Sequence, residues 1–222
     1  MGLQVDIVQV TAYLQNCSLL WDSETKKGAV IDPGGDVAAI LERIDKHSIE
    51  VEKILITHGH FDHIGGVSAL AQALQERYGR AIPILGSQKE DKFLFDSLDE
   101  QLASFGFPSA QPFTPDRWLE EGDEVTVGNE VLSVYHTPGH TPGHITYYGK
   151  GIKLAWVGDV LFKDSIGRTD LAGGDYPTLI NSIRNKLWSL DSQTTFVPGH
   201  GPFSTFAEER RSNPYVSDKK LN

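Results

Sequence analysis

Apolar and polar residues alternate over residues 3–10. This alternation predicts a half-buried β-strand, because successive side chains of a strand face opposite sides of a sheet. Two shorter apolar runs follow at 17–21 and 29–31, and the turn sequence Asp-Pro-Gly-Gly comes directly after the second run. We therefore expect three consecutive strands at the beginning of the chain.

Helical spacing of apolar residues begins after this turn. Residues 36–46 have one apolar face, and we expect Asp36 to cap this helix through its carboxylate. A short apolar strand is predicted over 53–57, and a second helix over 67–78 is expected to end at Gly79. Strands that alternate with helices in this way indicate an α/β layered domain.

The second half of the chain continues this mixture after an irregular segment. Residues 87–118 have weak helical periodicity and contain five of the ten phenylalanines. They form either a helical insertion that packs on the core or a wall beside a functional site. The other predicted elements are a strand over 82–85, a hairpin over 124–135 that turns at Gly128-Asn129, strands over 145–148, 153–157 and 195–197, a helix over 176–190 and a short helix capped by Thr205.

The composition is that of an ordinary globular protein and excludes several classes of function. The chain has 222 residues, so we expect one domain over 1–222. Its formal net charge of −10 argues against partners that attract basic surfaces, namely nucleic acids and anionic membranes. The single cysteine, Cys17, excludes an internal disulfide and is expected to be a buried apolar residue. No leader pattern or membrane-spanning apolar run is visible, so we expect a cytoplasmic protein without an obligate protein partner.

Histidine is the residue type that indicates chemistry in this sequence. Seven of the eight histidines lie in or beside turns rich in glycine and proline. The sequence His-Gly-His-Phe-Asp-His at 58–63 holds four potential metal ligands in six residues. Alternate residues of an extended segment point to the same side, so His58 and His60 can share one metal ion. If a helix begins after them, Asp62 and His63 turn toward a second ion, and such ligands suit Zn²⁺, Fe or Mn²⁺.

Further ligands are needed, because four side chains cannot complete the coordination of two ions. Three other predicted strands are followed by a motif in which histidine or aspartate stands beside glycine. The motifs are Thr-Pro-Gly-His-Thr-Pro-Gly-His at 137–144, Trp-Val-Gly-Asp at 156–159 and Val-Pro-Gly-His at 197–200. Functional sites of α/β proteins gather at such strand ends. The doubled motif offers two candidate ligands, His140 and His144.

These four motifs, in this order, resemble those of the metallo-β-lactamase-fold hydrolases, and the resemblance extends from Val5 to His200. Within that superfamily the chain is most similar to the glyoxalase II (hydroxyacylglutathione hydrolase) family, especially its short single-domain members. The segments 158–162, 167–170 and 213–216 support this similarity. The resemblance implies a four-layer αββα sandwich with two metal ions between its sheets. Zinc is the expected metal, with iron or manganese as alternatives.

The resemblance also implies a role for each site residue. The implied ligands are His58, His60 and His140 for the first metal, Asp62, His63 and His200 for the second, and Asp159 as a bridge between them. His144 and His136 are then packed residues rather than ligands. Asp62 also acts in catalysis by orienting the attacking water. Asp32 either starts a turn or accepts a hydrogen bond from a ligand histidine, and its position near the metals in the family favours the second role.

The reaction implied by the resemblance is hydrolysis of a small-molecule thioester. S-D-lactoylglutathione would give D-lactate and glutathione, with a hydroxide shared by the two metals as the nucleophile. The leaving thiolate needs no strong proton donor, because the pKa of a thiol is near 8–9.

The chain departs from the larger glyoxalase II enzymes after its last motif. Only 22 residues follow His200, so we expect no C-terminal helical glutathione-binding domain. Pro202 and Phe203 stand where those enzymes have a tyrosine. Arg168 has the position of a basic glutathione contact, although a surface ion pair with Asp164 or Asp170 is an equal alternative. The resemblance is therefore more informative about the reaction than about the substrate.

Other functions are carried out on the same fold. A persulfide dioxygenase uses one iron held by two histidines and an aspartate, whereas seven candidate ligands favour a dinuclear hydrolase. A lactonase shares all seven, but Phe162 stands where such enzymes tend to have a tyrosine. A β-lactamase lacks the equivalent of Asp159, and a tRNA nuclease is disfavoured by the net charge of −10. A purely structural zinc site is disfavoured, because such sites are closed and rich in thiolates, whereas the candidate ligands here are histidines and aspartates.

Overall fold

The computed structural model describes residues 2–221, and its first five strands form one sheet in the order of the chain. These strands are β1 (Leu3–Val10), β2 (Gln15–Asp22), β3 (Lys27–Ile31), β4 (Glu50–Ile56) and β5 (Ile84–Gly86). The pairs β1–β2 and β2–β3 are antiparallel, whereas β3–β4 and β4–β5 are parallel. Parallel neighbours need long crossover connections, and helices supply them here.

A second sheet is formed by six later strands. They are β6 (Glu124–Val127), β7 (Glu130–His136), β8 (Ile145–Gly149), β9 (Leu154–Gly158), β12 (Thr195–Pro198) and β13 (Ser204–Thr205). Their order in the sheet is β13-β12-β9-β8-β7-β6, and β9 and β12 are parallel. Strands β10 (Leu161–Phe162) and β11 (Ser165–Ile166) form a small separate hairpin. The parallel pair brings the ends of β9 and β12 to the same edge.

The helices cover the outer faces of the two sheets. They are α1 (Val37–His47), α2 (Phe61–Ile64), α3 (Val67–Tyr78), α4 (Lys92–Asp96), α5 (Leu98–Ser104), α6 (Tyr176–Asn185), α7 (Phe206–Ser212) and α8 (Asp218–Leu221). Within residues 2–221, none of these helices is long and apolar enough to cross a bilayer.

Three hydrophobic cores separate four layers. Ile54 of β4 faces the core that the first sheet shares with α1, α3 and α5, whereas Leu55 faces the core between the sheets. Trp156 of β9 also lies between the sheets, and Val157 faces a third core under α6 and α7. The central strands are thus buried on both faces, and this places the two sheets back to back. The predicted αββα sandwich is confirmed.

Most of the predicted elements are confirmed with small shifts of their ends. The second helix spans 67–78 as predicted and ends where Gly79 adopts a φ of 67°, a conformation that glycine accommodates without strain. The hairpin 124–135 turns at Gly128-Asn129. The helix predicted over 176–190 is shorter, because a 3₁₀ turn replaces its last part.

Helix α1 has Asp36 at its N-cap position, as predicted, but the expected capping hydrogen bond of its side chain is not made. This residue has a left-handed backbone with a φ of 47°, and its side chain bonds no amide of α1. Its carboxylate instead accepts a hydrogen bond of 2.6 Å from the backbone N–H of Thr11. A long-range donor in the β1–β2 turn thus competes with the local cap. The predicted cap at Thr205 is confirmed, since its hydroxyl accepts from the N–H of Glu208.

Candidate metal centre

The residues 57–63 change from strand to helix within a few positions. Strand β4 ends at Ile56, and His60 still has extended backbone with φ −72° and ψ 145°. Helix α2 begins at the next residue and carries Asp62 and His63 in its single turn. The side chains of His58 and His60 therefore point in a different direction from those of Asp62 and His63, as the spacing predicts. His58 and His63 are fully buried.

The four predicted strand ends meet at one place. The carboxyl ends of β9 and β12 lie side by side, with Pro198 paired to Gly158. The backbone N–H of Asn16 in β2 donates to the carbonyl of Gly199, so the loop after β12 is tied to the first sheet. Thr57, at the end of β4, accepts a backbone hydrogen bond from Ile145 of β8. These bonds hold loops from both sheets around a shared cavity.

Three overlapping groups of potential metal ligands lie at this cavity; one is Asp32, His58 and His63, and the other two match the predicted sets. Within each group, one donor atom per residue lies within 4.8 Å of the others. Of the two predicted sets, the first group is His58, His60 and His140, and the second is Asp62, His63 and His200. The structure thus brings together all six residues in the two predicted sets.

Asp159 lies between the two groups. Its Oδ2 is 3.7 Å from His140 Nε2 and 3.6 Å from His200 Nε2, while its Oδ1 is 3.4 Å from His63 Nε2. The carboxylate therefore reaches one member of the first group and two of the second. This is the position that a bridging ligand requires.

Hydrogen bonds hold one ring nitrogen of each of three histidines and leave the other directed to the cavity. His140 Nδ1 donates to the carbonyl of Arg168 at 2.8 Å, and His200 Nδ1 donates to the carbonyl of Tyr13 at 3.1 Å. His63 Nδ1 donates to Asp32 Oδ2 at 2.9 Å. Bonds of this kind fix both the tautomer and the ring orientation of metal-binding histidines.

Asp32 arranges the base of the site. Its Oδ2 accepts a hydrogen bond of 2.6 Å from the hydroxyl of Thr57, and that hydroxyl lies 3.0 Å from His58 Nδ1. Because the Thr57 proton is directed to Asp32, the hydroxyl oxygen is available to accept from His58. Together with its bond to His63, the Asp32 carboxylate thus holds one histidine of each group. The backbone N–H of Gly34 donates to the Asp32 carbonyl, so the residue also forms the turn.

Three buried polar atoms at this place have no hydrogen-bond partner among residues 2–221. They are His58 Nε2, His63 Nε2 and Asp159 Oδ1. Leaving such an atom unpaired costs about 1–3 kcal/mol, so buried polar atoms are normally satisfied. Imidazole nitrogens and carboxylate oxygens converging from several sides are the donors that a divalent transition-metal ion takes. The residues therefore fit a metal centre.

Burial sets the protonation of the histidines in the first group. Desolvation, reinforced by the neighbouring histidines, lowers the pKa of His58 well below its ordinary value and that of His60 to about 3. Both rings are therefore neutral near pH 7, as metal ligands must be. For His63, burial also acts to lower the pKa, but the charges of Asp159 and Asp62 outweigh it and raise the pKa. That position favours positive charge, which a cation can provide.

His144 is packed against the site without facing it. Its Nε2 accepts a hydrogen bond of 3.1 Å from the backbone N–H of Asp159, and its Nδ1 lies 3.1 Å from the hydroxyl of Thr137. Both ring nitrogens are thus engaged outside the two groups, whereas His140 belongs to the first group. His136 ends β7, where its Nε2 lies 2.7 Å from the carbonyl of Pro142.

Arg168 takes part in the site through its backbone and its side chain. Its guanidinium forms two hydrogen bonds of 2.8 Å with Asp170, which is one of the predicted alternatives. The side chain is 59% exposed and also lines the cavity over the metal centre, so the pair is open to a ligand. The sequence contained no sign that the carbonyl of this residue would hold His140.

Asp91 is a residue of the site that the sequence interpretation missed. Its carboxylate is fully buried and accepts from the N–H groups of Gly59 and Gly143 at 2.9 and 2.6 Å. It also accepts from the hydroxyl of Thr141 at 2.8 Å. One side chain of the irregular segment thus joins the loop of His58 to the loop of His140. A lone aspartate in a weak helical pattern carries no signal of this role.

The metal centre opens into a cavity of about 620 Å³. Irregular segment 87–118 forms part of its wall, because Phe93 and Phe105 line it and are 40% and 49% exposed. Phe95 is buried in the first core, and Phe107 and Phe113 pack against that core. The segment therefore both packs on the core and forms a wall beside the site, so each of its two interpretations is partly correct. Cys17 is buried in β2, as expected.

Comparison with known proteins identifies the family. Residues 10–200 match the model of the metallo-β-lactamase superfamily, so the chain belongs to it and is a metallo-hydrolase by fold and ligand set. It is 44% identical over 218 residues to a hydroxyacylglutathione hydrolase, GloC, from Haemophilus influenzae, covering 98% of this chain and 100% of the relative. The predicted resemblance is confirmed.

Two crystal structures extend this comparison. A B3 metallo-β-lactamase, BLEG-1, superposes with a TM-score of 0.85 at 35% identity, covering 96% of this chain and 99% of that one. TTHA1623 in a di-iron-bound form superposes with a TM-score of 0.84 at 33% identity, covering 95% and 100%. These similarities confirm the fold, and the names of these relatives point to more than one substrate and to one metal, iron.

Proposed function

We propose that this protein is a dinuclear metal-dependent thioester hydrolase that acts on S-(2-hydroxyacyl)glutathiones such as S-D-lactoylglutathione. The observation that carries the proposal is the position of Asp159 between two three-residue donor groups. Such an arrangement suits two metal ions rather than one. The name of the 44% identical relative from Haemophilus influenzae supports the glutathione thioester as the substrate.

The proposed ligands are the residues of the two groups together with the bridging carboxylate. When bound, two divalent ions lower the pKa of a water molecule toward neutrality and polarise a carbonyl oxygen. We propose zinc as the resident metal, and the di-iron form of TTHA1623 makes iron the principal alternative. Asp32 and the carbonyls of Arg168 and Tyr13 keep the ligand histidines oriented.

Asp62 is the proposed catalytic carboxylate. Its Oδ2 lies 3.1 Å from His200 Nε2, and the residue also lines the cavity. Burial alone would raise its pKa, but the charges of His63 and His200 lower it, so it is ionised and can accept a hydrogen bond from the attacking water. The water oxygen bonds to the carbonyl carbon as the water gives up its protons to solvent, and the C–S bond breaks with its electron pair on sulfur.

Arg168 is the proposed contact for a glutathione carboxylate. Its guanidinium already makes a two-point contact with the carboxylate of Asp170, and the same geometry suits a substrate carboxylate. No thiol-protonating residue is required, since thiolates are good leaving groups near neutral pH. The net charge of −10 makes a nucleic-acid substrate unfavourable.

One experiment separates this function from the alternatives. The purified protein is given S-D-lactoylglutathione, a lactone, a β-lactam and glutathione persulfide with an oxygen electrode, and its metal content is measured on the same sample. We expect two metal ions per chain and a kcat/KM for the thioester at least 100-fold above the other substrates. One iron per chain with oxygen consumption would indicate a dioxygenase instead. Preferential β-lactam hydrolysis would favour the activity named for BLEG-1.

A further inference from the structure

An aromatic wall borders one end of the cavity. It consists of Tyr13 from the β1–β2 turn, Phe61 from α2 and Phe105 after α5. The rings of Phe61 and Phe105 are stacked with centroids 4.6 Å apart, and Tyr13 meets them edge-on at 5.6 and 6.1 Å. Three separate elements thus build one continuous apolar surface.

This wall is open to solvent at the cavity. Tyr13 is 44% exposed and Phe105 is 49% exposed. Each square ångström of apolar surface that a ligand covers contributes about 25 cal/mol to binding in simple area accounting. The wall is therefore available to bind an apolar group of a ligand.

The cavity lining also carries one cationic side chain, that of Arg168. Among residues 2–221, this is the only lysine or arginine that lines the cavity. Its carbonyl accepts from His140 Nδ1, so Arg168 adjoins the first ligand group. The wall adjoins the second group through Tyr13, whose carbonyl accepts from His200 Nδ1, while Phe61 lies between His60 and Asp62, one residue of each group. Arg168, paired with Asp170, and the aromatic wall therefore lie beside different ligand groups of a cavity that Phe162, Ile166 and Leu171 also line.

We propose that the preferred substrate is a glutathione thioester whose 2-hydroxyacyl group carries an aromatic ring. This inference rests on the proposed function, since it concerns the substrate of the same site. The glutathione carboxylates lie toward Arg168, and the acyl substituent lies on the aromatic wall. A lactoyl methyl group would leave most of that wall in water, whereas a phenyl ring would cover it. Phe105 is then a residue that determines specificity.

The chain offers a matched control for Phe105. Phe107 belongs to the same aromatic cluster, with its ring 5.3 Å from Phe61 and 5.9 Å from Tyr13. It packs against the first core and is not among the residues that line the cavity over the metal centre. Phe107→Ala therefore loosens the cluster without removing cavity surface, whereas Phe105→Ala removes that surface.

The test compares S-D-mandeloylglutathione with S-D-lactoylglutathione in the metal-loaded wild type and in both variants. The selectivity is the ratio of the kcat/KM values for the two substrates. When this ratio is compared between the wild type and a variant, the difference in intrinsic reactivity between the two acyl groups cancels. We expect Phe105→Ala to lower this ratio at least 10-fold, mainly through the KM of the mandeloyl substrate. Phe107→Ala should lower the Tm but keep the ratio within twofold. An unchanged ratio in Phe105→Ala, or equal changes in both variants, would overturn the proposal.

A binding measurement distinguishes this proposal from the proposed function. Calorimetry with D-mandelate and D-lactate needs no turnover, and we expect D-mandelate to bind at least 10-fold more tightly, an advantage that Phe105→Ala removes. If the wild type hydrolyses neither thioester, the proposed function is wrong, and this preference alone decides whether the wall binds aromatic acids. Equal binding of the two acids would overturn the aromatic preference even if both thioesters were hydrolysed.

Discussion

The loops that follow strands β4, β7, β9 and β12 differ from segment 87–118 in how they hold side chains at the cavity. In the loops, polar groups are buried and have fixed partners, as when His140, 2% exposed, donates to a carbonyl. In the segment, Phe105 is 49% exposed, and its side chain meets the rings of Phe61 and Tyr13 without a directional bond. Hydrogen bonds fix the positions of side chains within tenths of an ångström, whereas apolar contacts fix only the shape and volume of the space that the side chains leave. We therefore expect the loops to determine the reaction and the segment to select the substrate.

Asp91 is the exception within the segment. Its carboxylate accepts hydrogen bonds from both the His58 loop and the His140 loop, so it belongs mechanically with the loops. The two kinds of side chain are therefore not separated by their position along the chain. The division is between side chains fixed by several hydrogen bonds and side chains fixed by packing.

The largest effect is expected for the bridging carboxylate. Asp159→Ala removes the carboxylate that lies close to His140 of the first donor group and His200 of the second, and should lower kcat by at least about 10³-fold with the loss of at least one metal ion. Steady-state kinetics and metal analysis on one preparation test this. Asp170→Ala, a surface carboxylate on the same side of the cavity, serves as a control that should keep both metals. Two metals with near-normal turnover in Asp159→Ala would contradict a dinuclear hydrolase.

A smaller effect is expected for the carboxylate that joins the loops. Asp91→Asn replaces an acceptor by an amide nitrogen, which must face at least one of the donors of Gly59, Thr141 and Gly143. Supporting residues of this kind typically change metal affinity by about 10–100-fold. Competition with a chelator measures that affinity directly. Glu90→Gln, at the exposed neighbouring position, should leave it unchanged, and an unaltered affinity in Asp91→Asn would remove Asp91 from the metal centre.

Asp91 should also make stability depend on pH. Burial raises its pKa from 3.8 to about 6, so between these values the native state binds a proton that the unfolded state lacks. The contribution of Asp91 to the free energy of unfolding is therefore largest below pH 4 and is lost as the pH rises through 6, a change of up to about 3 kcal/mol. Urea unfolding of the metal-free wild type and Asp91→Asn at several pH values isolates this contribution. A difference between them that stays constant from pH 4 to 7 would contradict it.

The same contrast explains which features could be predicted from the sequence. His58, Asp159 and His200 belong to short motifs of rare residue types at strand ends, so their grouping was predictable before the strand order was known. The role of Asp91 depends on contacts with residues about 30 and 50 positions away along the chain, and no local pattern records such contacts. The failed cap at Asp36 has the same cause, because its partner Thr11 is distant in sequence.

The smallest effect is expected for His144, which the doubled motif makes as plausible a ligand as His140. Its Nε2 accepts from the amide of Asp159, so it supports the bridge through the backbone rather than through a metal. The amide oxygen of asparagine can accept the same hydrogen bond, although the stacked contact with His58, at 4.9 Å, is lost. His144→Asn should therefore keep both metals and lower kcat by less than about 10-fold, the range of a modest displacement of Asp159. His140→Asn, measured beside it, should lose one metal, because the His140 ring belongs to the first donor group. Loss of metal from His144→Asn with full occupancy in His140→Asn would reverse the two roles, and it would mean that the loop rearranges when metal binds.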